Sequence, residues 1–241
     1  TSLFWKMLER GGVQGVQLFI QIILARLLDP HEFGTIAIVV VFINLAQVFV
    51  QSGLSTSLIQ KKEIEDIEYS SVFFVSLLMS IVLYLLLFVT APFIASVYDD
   101  NDLIIVLRVL AIILPFTAIN SVQLAYVSRH MLFKKLFYSS LFSVSISGIV
   151  GVFAAHGGLG VWALVLQQLI NQLSLTVVLW FTIKWRPKMI FSLKSVKDLL
   201  NFGWKLLVSS LLDIFDKEVR TLIVGKLYTP NMLGYYNRGE L

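Results

Sequence analysis

Apolar runs of crossing length recur seven times along the 241-residue chain, at positions 5–28, 34–52, 69–97, 103–128, 136–155, 161–184 and 205–228. A helix needs roughly 20 mainly apolar residues to traverse a hydrocarbon layer of about 30 Å. Backbone amides in lipid must find partners inside their own segment, so runs of this length predict helices; barrel strands would be about half as long. The chain is therefore expected to be all-α and polytopic. The first and last runs carry the most polar residues of the seven.

Polar residues within the runs fall into stripes. In the first run Lys6, Arg10, Gln14, Gln17 and Gln21 share a narrow sector of the helix surface. Asn44, Gln47 and Gln51 do the same in the second run, Gln167, Asn171 and Ser174 in the sixth, and Thr117, Asn120 and Gln123 more loosely in the fourth. A polar stripe inside a membrane does not face lipid. It either ties helices together, at about 0.6–2 kcal/mol per contact, or lines a wet cavity. Amides aligned on four helices favour the cavity. Carboxamides donate and accept at once, which suits a hydroxyl-rich ligand such as a sugar. Ser143, Ser147 and Gly151, at every fourth position of the fifth run, predict close helix packing and nothing more.

Composition agrees with a lipid solvent: 57% of residues are hydrophobic and 14% charged, too few charges to coat a water-soluble globule of this size. The placement of charge gives a sidedness. Lys6, Arg10, Lys61, Lys62, Arg129, Lys134, Lys135 and the basic residues of 184–205 fall at one set of alternating helix ends, whereas Asp29, Glu32, Asp99, Asp100 and Asp102 mark the other. Cationic ends stay in the cytoplasm, so the amino end is expected inside. Arg108, a turn or two into the fourth run, is expected to snorkel to the outer headgroups.

The seventh run holds Asp213, Asp216, Lys217, Glu218 and Arg220. Asp213 precedes Lys217 by four residues and Asp216 precedes Arg220 by four, the spacing for ion pairs on one helix face. An unpaired charge at the bilayer centre costs about 2.5–3.5 kcal/mol. Two readings stand side by side: a self-neutralised ladder that permits insertion, or an anion-binding face on which Lys217 and Arg220, with Arg10, meet a phosphate. The candidate substrate-binding residues are thus Arg10, Gln14, Gln17, Gln21, Asn44, Gln47, Gln167, Asn171, Lys217 and Arg220, and Asp213 and Asp216 are candidate ion-coupling residues.

The chain also repeats itself. Arg26-Leu27-Leu28-Asp29-Pro30 with Gly34 returns 200 residues later as Lys226-Leu227-Tyr228-Thr229-Pro230 with Gly234. Six crossings separate the copies, so the two repeats run parallel, as in transporters built from two like lobes about an axis along the membrane normal. The expected organisation is a six-helix lobe at 1–185, a basic interfacial linker at 186–203 whose plain reading is an anchor to anionic lipid, and the first helix and following loop of an incomplete second lobe at 204–241. Thr1 and the stop at Leu241 suggest a chain trimmed at both ends.

Catalytic chemistry is not in view. The sequence has no cysteine, and His31, His130 and His156 fall in different connections, so neither a metal site nor an acyltransferase centre is expected. The acidic tip Asp99, Asp100 and Asp102 reads as a solvated turn. No phosphate loop, zinc-protease motif or nucleophile elbow is present, and no cofactor is implied.

The segments Leu27-Leu28-Asp29-Pro30-His31-Glu32-Phe33-Gly34, Gly53-Leu54-Ser55-Thr56-Ser57-Leu58-Ile59-Gln60-Lys61 and Leu233-Gly234-Tyr235-Tyr236-Asn237-Arg238 resemble the bacterial polysaccharide-synthesis exporters. These are lipid-linked oligosaccharide flippases of the multidrug/oligosaccharidyl-lipid/polysaccharide superfamily. The resemblance implies a protein of about twice this length with two six-helix lobes around a central cavity, in the bacterial inner membrane. It implies transfer of an undecaprenyl-diphosphate-linked sugar between leaflets, with membrane lipids and the polysaccharide polymerase machinery as partners and no nucleic acid. A cation-coupled drug exporter of the same superfamily and a membrane enzyme acting on lipid-linked sugars are the alternatives.

Overall fold

The computed structural model describes residues 2–51, 53–61, 64–227 and 232–235. Ser52, Lys62, the Tyr228-Thr229-Pro230 part of the second repeat, and Tyr236-Asn237-Arg238 lie outside the described residues. Among those described, the elements are α1 (Ser2–Leu27), α2 (Pro30–Gln51), α3 (Leu54–Gln60), α4 (Asp66–Tyr98), α5 (Asp102–Leu110), α6 (Ile113–Arg129), α7 (Phe133–His156), α8 (Val161–Thr182) and α9 (Leu193–Leu227), followed by a helical turn at 232–235. No strand occurs among them. Five stretches are long and apolar enough to cross a membrane: α2, α4, α5 with α6, α7 and α8. The more polar α1 and α9 are also of crossing length, at 26 and 35 residues.

The Asp-Pro motif has a local cause. Pro30 opens α2, where its missing N–H costs nothing, and the Glu32 carboxylate reaches back to accept the Asp29 N–H at 2.8 Å. Thr35 Oγ1 then donates to Asp100 at 3.1 Å, so the acidic tip is tied to the start of α2 and is not simply a solvated turn.

The expected fourth crossing is broken into α5 and α6 at Ala111 and Ile112. Pro115 explains the break, because its ring excludes the carbonyl of Ala111 four residues before it; that carbonyl accepts from Leu114 N instead, at 3.0 Å. Pro92 acts similarly in α4, where it leaves the Phe88 carbonyl without a helical donor. Arg108 supplies one. Its Nε donates to Phe88 O at 3.2 Å and its guanidinium lies 4.2 Å from the Phe88 ring centroid. The snorkelling expected of Arg108 is thus replaced by a bond to the neighbouring helix.

The linker differs from expectation too. Its second half is already helical, since α9 begins at Leu193 and runs through the expected boundary at 203 and 204 without a break. Ser192 caps it, accepting the Ser195 N–H at 3.2 Å. The preceding strap is fastened to the first turns of α4: Lys188 N donates to Ser70 Oγ at 3.0 Å, Ser192 N donates to Ser71 Oγ at 2.9 Å, and the Lys188 ammonium pairs with Asp66.

Two apolar layers fill the interior. One, nearer the acidic helix ends, includes Leu24, Ile38, Leu107, Leu110 and Leu164; the other, nearer the basic ends, includes Leu58, Val72, Leu179, Ile183 and Leu199. Small residues set the helix spacing. A Cβ on Gly148 would fall 2.2 Å from Ile20 Cδ1 of α1, and one on Gly151 would fall 3.0 Å from Gln167 Cβ of α8. Two crossings are backbone on backbone: a Cβ on Gly203 of α9 would lie 2.1 Å from the Gly53 carbonyl oxygen, and one on Gly234 would lie 1.8 Å from the Pro30 carbonyl oxygen. Outward, Val89, Phe93, Phe153 and Phe181 are 71–82% exposed, a surface suited to lipid and not to water.

Candidate functional site

Between α1, α2, α7, α8 and α9 the apolar packing gives way to a polar cavity with three adjoining parts. The first, of about 300 Å³, is bounded by Gln17 and Gln21 of α1, Gln47 of α2, Ser147 of α7, and Gln167, Gln168, Asn171 and Gln172 of α8. The second, also about 300 Å³, shares Gln21, Val40 and Gln168 with it and adds Asn44 of α2 and Lys217, Glu218 and Thr221 of α9. The third, about 120 Å³, lies along Asn44, Gln47, Gln51 and Ile214.

Helical register puts the amides there. Gln17 and Gln21 are one turn apart on α1, Asn44, Gln47 and Gln51 follow a three-and-four spacing on α2, and the pairs 167/168 and 171/172 form a broad polar sector on α8. On α9 the cavity face is 214, 217, 218 and 221, again a three-and-four stripe.

Three hydrogen bonds cross the walls. Asn44 Nδ2 donates to Glu218 Oε1 at 2.8 Å, joining α2 to α9. Gln172 and Gln47 both donate to Thr117 Oγ1 of α6, at 3.2 and 3.5 Å. By contrast, among the described residues Gln17, Gln21, Gln167, Gln168 and Asn171 make no side-chain hydrogen bond within the protein, although all five border the void. Amides that served to tie helices together would be bonded to one another; these present free donors and acceptors to a space that must hold water or ligand.

Of the ten candidate binding residues, the structure brings Gln17, Gln21, Asn44, Gln47, Gln167, Asn171 and Lys217 to this cavity. Arg10 and Gln14 continue the α1 stripe toward its amino end, exposed and beyond the cavity wall. Asp213, Asp216 and Arg220 are exposed and line no part of the cavity. Among the described residues the ion pairs are Lys61–Glu68 and Lys188–Asp66, so neither Asp213–Lys217 nor Asp216–Arg220 closes. The looser α6 stripe divides: Thr117 reaches the cavity edge, whereas Asn120 and Gln123 are buried with no hydrogen-bond partner.

Sequence reasoning passed over Gln168, Gln172 and Thr221. The adjacent pairs Gln167-Gln168 and Asn171-Gln172 carried the signal for the first two, because paired amides one turn apart widen a stripe without moving it.

A family model described as "Polysaccharide biosynthesis protein" matches residues 23–240. The succinoglycan biosynthesis transport protein ExoT of Rhizobium meliloti is 26% identical over 97% of this chain and 47% of its own length. The lipopolysaccharide biosynthesis protein WzxC of Escherichia coli is 27% identical over 97% of this chain and 48% of its own length. The teichuronic acid biosynthesis protein TuaB of Bacillus subtilis is 27% identical over 80% of this chain and 40% of its own length. The chain thus spans about half the length of the curated relatives it matches. A solved structure of a multidrug resistance MATE family transporter of the MOP superfamily, in an inward-facing conformation, superposes with a TM-score of 0.64 and 14% identity over 94% of this chain and 57% of that one. The helix bundle is accordingly a MATE-like membrane fold, and with 218 consecutive residues under the family model the chain belongs to the polysaccharide biosynthesis protein family.

Proposed function

We propose that this chain forms one lobe of a flippase that moves a lipid-linked oligosaccharide, carried on undecaprenyl diphosphate, across the bacterial inner membrane. The observation that carries the reading is the cavity lined by unbonded carboxamides. Gln17, Gln21, Gln167 and Asn171 offer donors and acceptors to sugar hydroxyls, Asn44 and Gln47 complete the wall, and Lys217 presents a cation to the diphosphate. No step here needs bond making: the substrate leaves chemically unchanged, so the protein is not an enzyme.

Residues 1–185 constitute the first lobe, 186–203, which includes the opening turns of α9, the connection, and 204–241 the start of the second lobe, whose remainder closes the cavity from the opposite side. The amino end faces the cytoplasm, in keeping with the basic helix ends. A polysaccharide polymerase receives the product. Support for a cation-coupled drug exporter would have to come from Asp213 and Asp216, which line no part of the cavity.

The test is the sidedness of a lipid-linked oligosaccharide in vesicles carrying the full-length protein. Replacing Gln21 and Gln168 together by leucine removes hydrogen bonds from both main parts of the cavity and is expected to slow translocation by at least about tenfold. Arg220→Ala, off the cavity face, is expected to change the rate much less. Undiminished translocation by the double leucine variant would sink the proposal.

A further inference from the structure

A second concavity, of about 630 Å³, runs between α7 and α8 near their basic ends. Tyr138, Leu141, Phe142 and Ser145 of α7 and Val178 and Thr182 of α8 line it, with Lys135 at its mouth. Its walls are almost wholly apolar, the reverse of the amide cavity. It also faces away from that cavity: with about 100° per residue, Phe142 and Ser145 stand roughly 140° and 160° around α7 from Ser147, which borders the amides.

Aromatic rings gather at the mouth of the groove. Trp5 lies 5.8 Å from Phe137 and 6.0 Å from Tyr138, and Phe137 and Tyr138 are 5.3 Å apart between ring centroids, an aromatic cluster of the kind found where hydrocarbon meets water. Lysines stand at this end of α7 and α8. Lys135 Nζ donates to the Thr182 carbonyl at 3.2 Å, which occupies one of its three N–H donors, and the exposed Lys184 follows two residues beyond Thr182. Lys134 Nζ lies 5.4 Å from the Trp5 ring centroid. Among the described residues no carboxylate lines the groove.

We propose that this groove binds one anionic phospholipid, its phosphate between Lys135 and Lys184 and an acyl chain laid along Tyr138, Phe142 and Val178. Charge complementarity at the mouth and an apolar trough leading into the hydrocarbon match the two ends of such a molecule. A carrier lipid whose headgroup occupied the amide cavity could not place its tail here, because α7 stands between the two. The occupant is therefore a bilayer lipid, distinct from any transported one, and it holds α7 against α8 at the wall of the cavity.

Native mass spectrometry of the full-length protein, offered phosphatidylglycerol and phosphatidylcholine in equal amounts, tests this. One retained phosphatidylglycerol is expected, favoured over phosphatidylcholine by about tenfold. Lys135→Gln with Lys184→Gln, which keeps a donor for the Thr182 carbonyl, should abolish the preference. Ser145→Trp, which fills the trough, should lower retention of both lipids, whereas Val89→Trp on the exposed face of α4 should leave it unchanged. Equal retention of the two lipids by the unaltered protein, or undiminished phosphatidylglycerol in Ser145→Trp, overturns the proposal. So does a stronger retention of polyprenyl phosphate, or a dimer of the protein in place of the lipid adduct.

Discussion

Arg108 shows how a single side chain in lipid answers a backbone defect on another helix. Pro92 deprives the Phe88 carbonyl of its donor, and Arg108, twenty residues later, restores one at 3.2 Å. An acceptor that faces hydrocarbon with no partner costs about 1–3 kcal/mol, so Arg108→Ala should lower stability by that order, read as a thermal midpoint in detergent. In a Pro92→Ala background the helix supplies its own N–H, and the same Arg108 substitution should cost clearly less; equal costs in both backgrounds would refute the coupling. This pairing was not legible in the sequence, because the two residues meet only through the register of α4 against α5. The amides of Gln17, Gln21, Asn44 and Gln47 were legible, since three-and-four spacing alone places them on one face. The seventh-run cations were legible as a cluster only: which of Lys217 and Arg220 turns inward depends on how α9 is rotated against α2.

Elements followed hydropathy where lipid sets the rule and departed from it where backbone chemistry intervenes. The runs behind α2, α4, α7 and α8 were readable from length and apolarity. Pro115 was the available sign of the break between α5 and α6, and Ser192 of the early start of α9, but each is one residue against a run of twenty. Close packing of α7 was readable from Ser143, Ser147 and Gly151, and its sharpest expression is Gly148 against Ile20, where a Cβ would fall 2.2 Å from Cδ1. Gly148→Ala should therefore destabilise by about 1–3 kcal/mol. Ile20→Ala should cost less in the Gly148→Ala protein than alone, because it vacates the space the new methyl needs; simple additivity in denaturation midpoints would show that the contact does not set the α1–α7 distance.

For the whole molecule, one end carries the basic residues and the other the acidic tip, and this polarity survives in the structure: Lys61, Lys135 and Lys188 cluster with Glu68, Thr182 and Asp66, while Thr35 and Asp100 meet at the far end. Because the chain has no cysteine, sidedness can be read from single replacements. With the amino end in the cytoplasm, Asn101→Cys should react with a membrane-impermeant maleimide in intact cells and Lys194→Cys only after permeabilisation; the opposite pattern would reverse the topology. The all-α, membrane-crossing character was legible from the apolar runs, whereas the amide cavity's volume and walls required packing. Near its two ends α9 meets its neighbours through glycine: Gly203 touches the Gly53 carbonyl, and a Cβ on Gly225 would lie 3.3 Å from both Ile38 and Tyr98. These contacts are 22 residues apart, about 33 Å along the axis. Each glycine contact has a hydrogen bond beside it, Ser57 Oγ to the Leu199 carbonyl at 3.1 Å and Lys226 Nζ to the Val97 carbonyl, with the Asn44–Glu218 bond between them, so α9 is riveted to the other helices along its length like a spar.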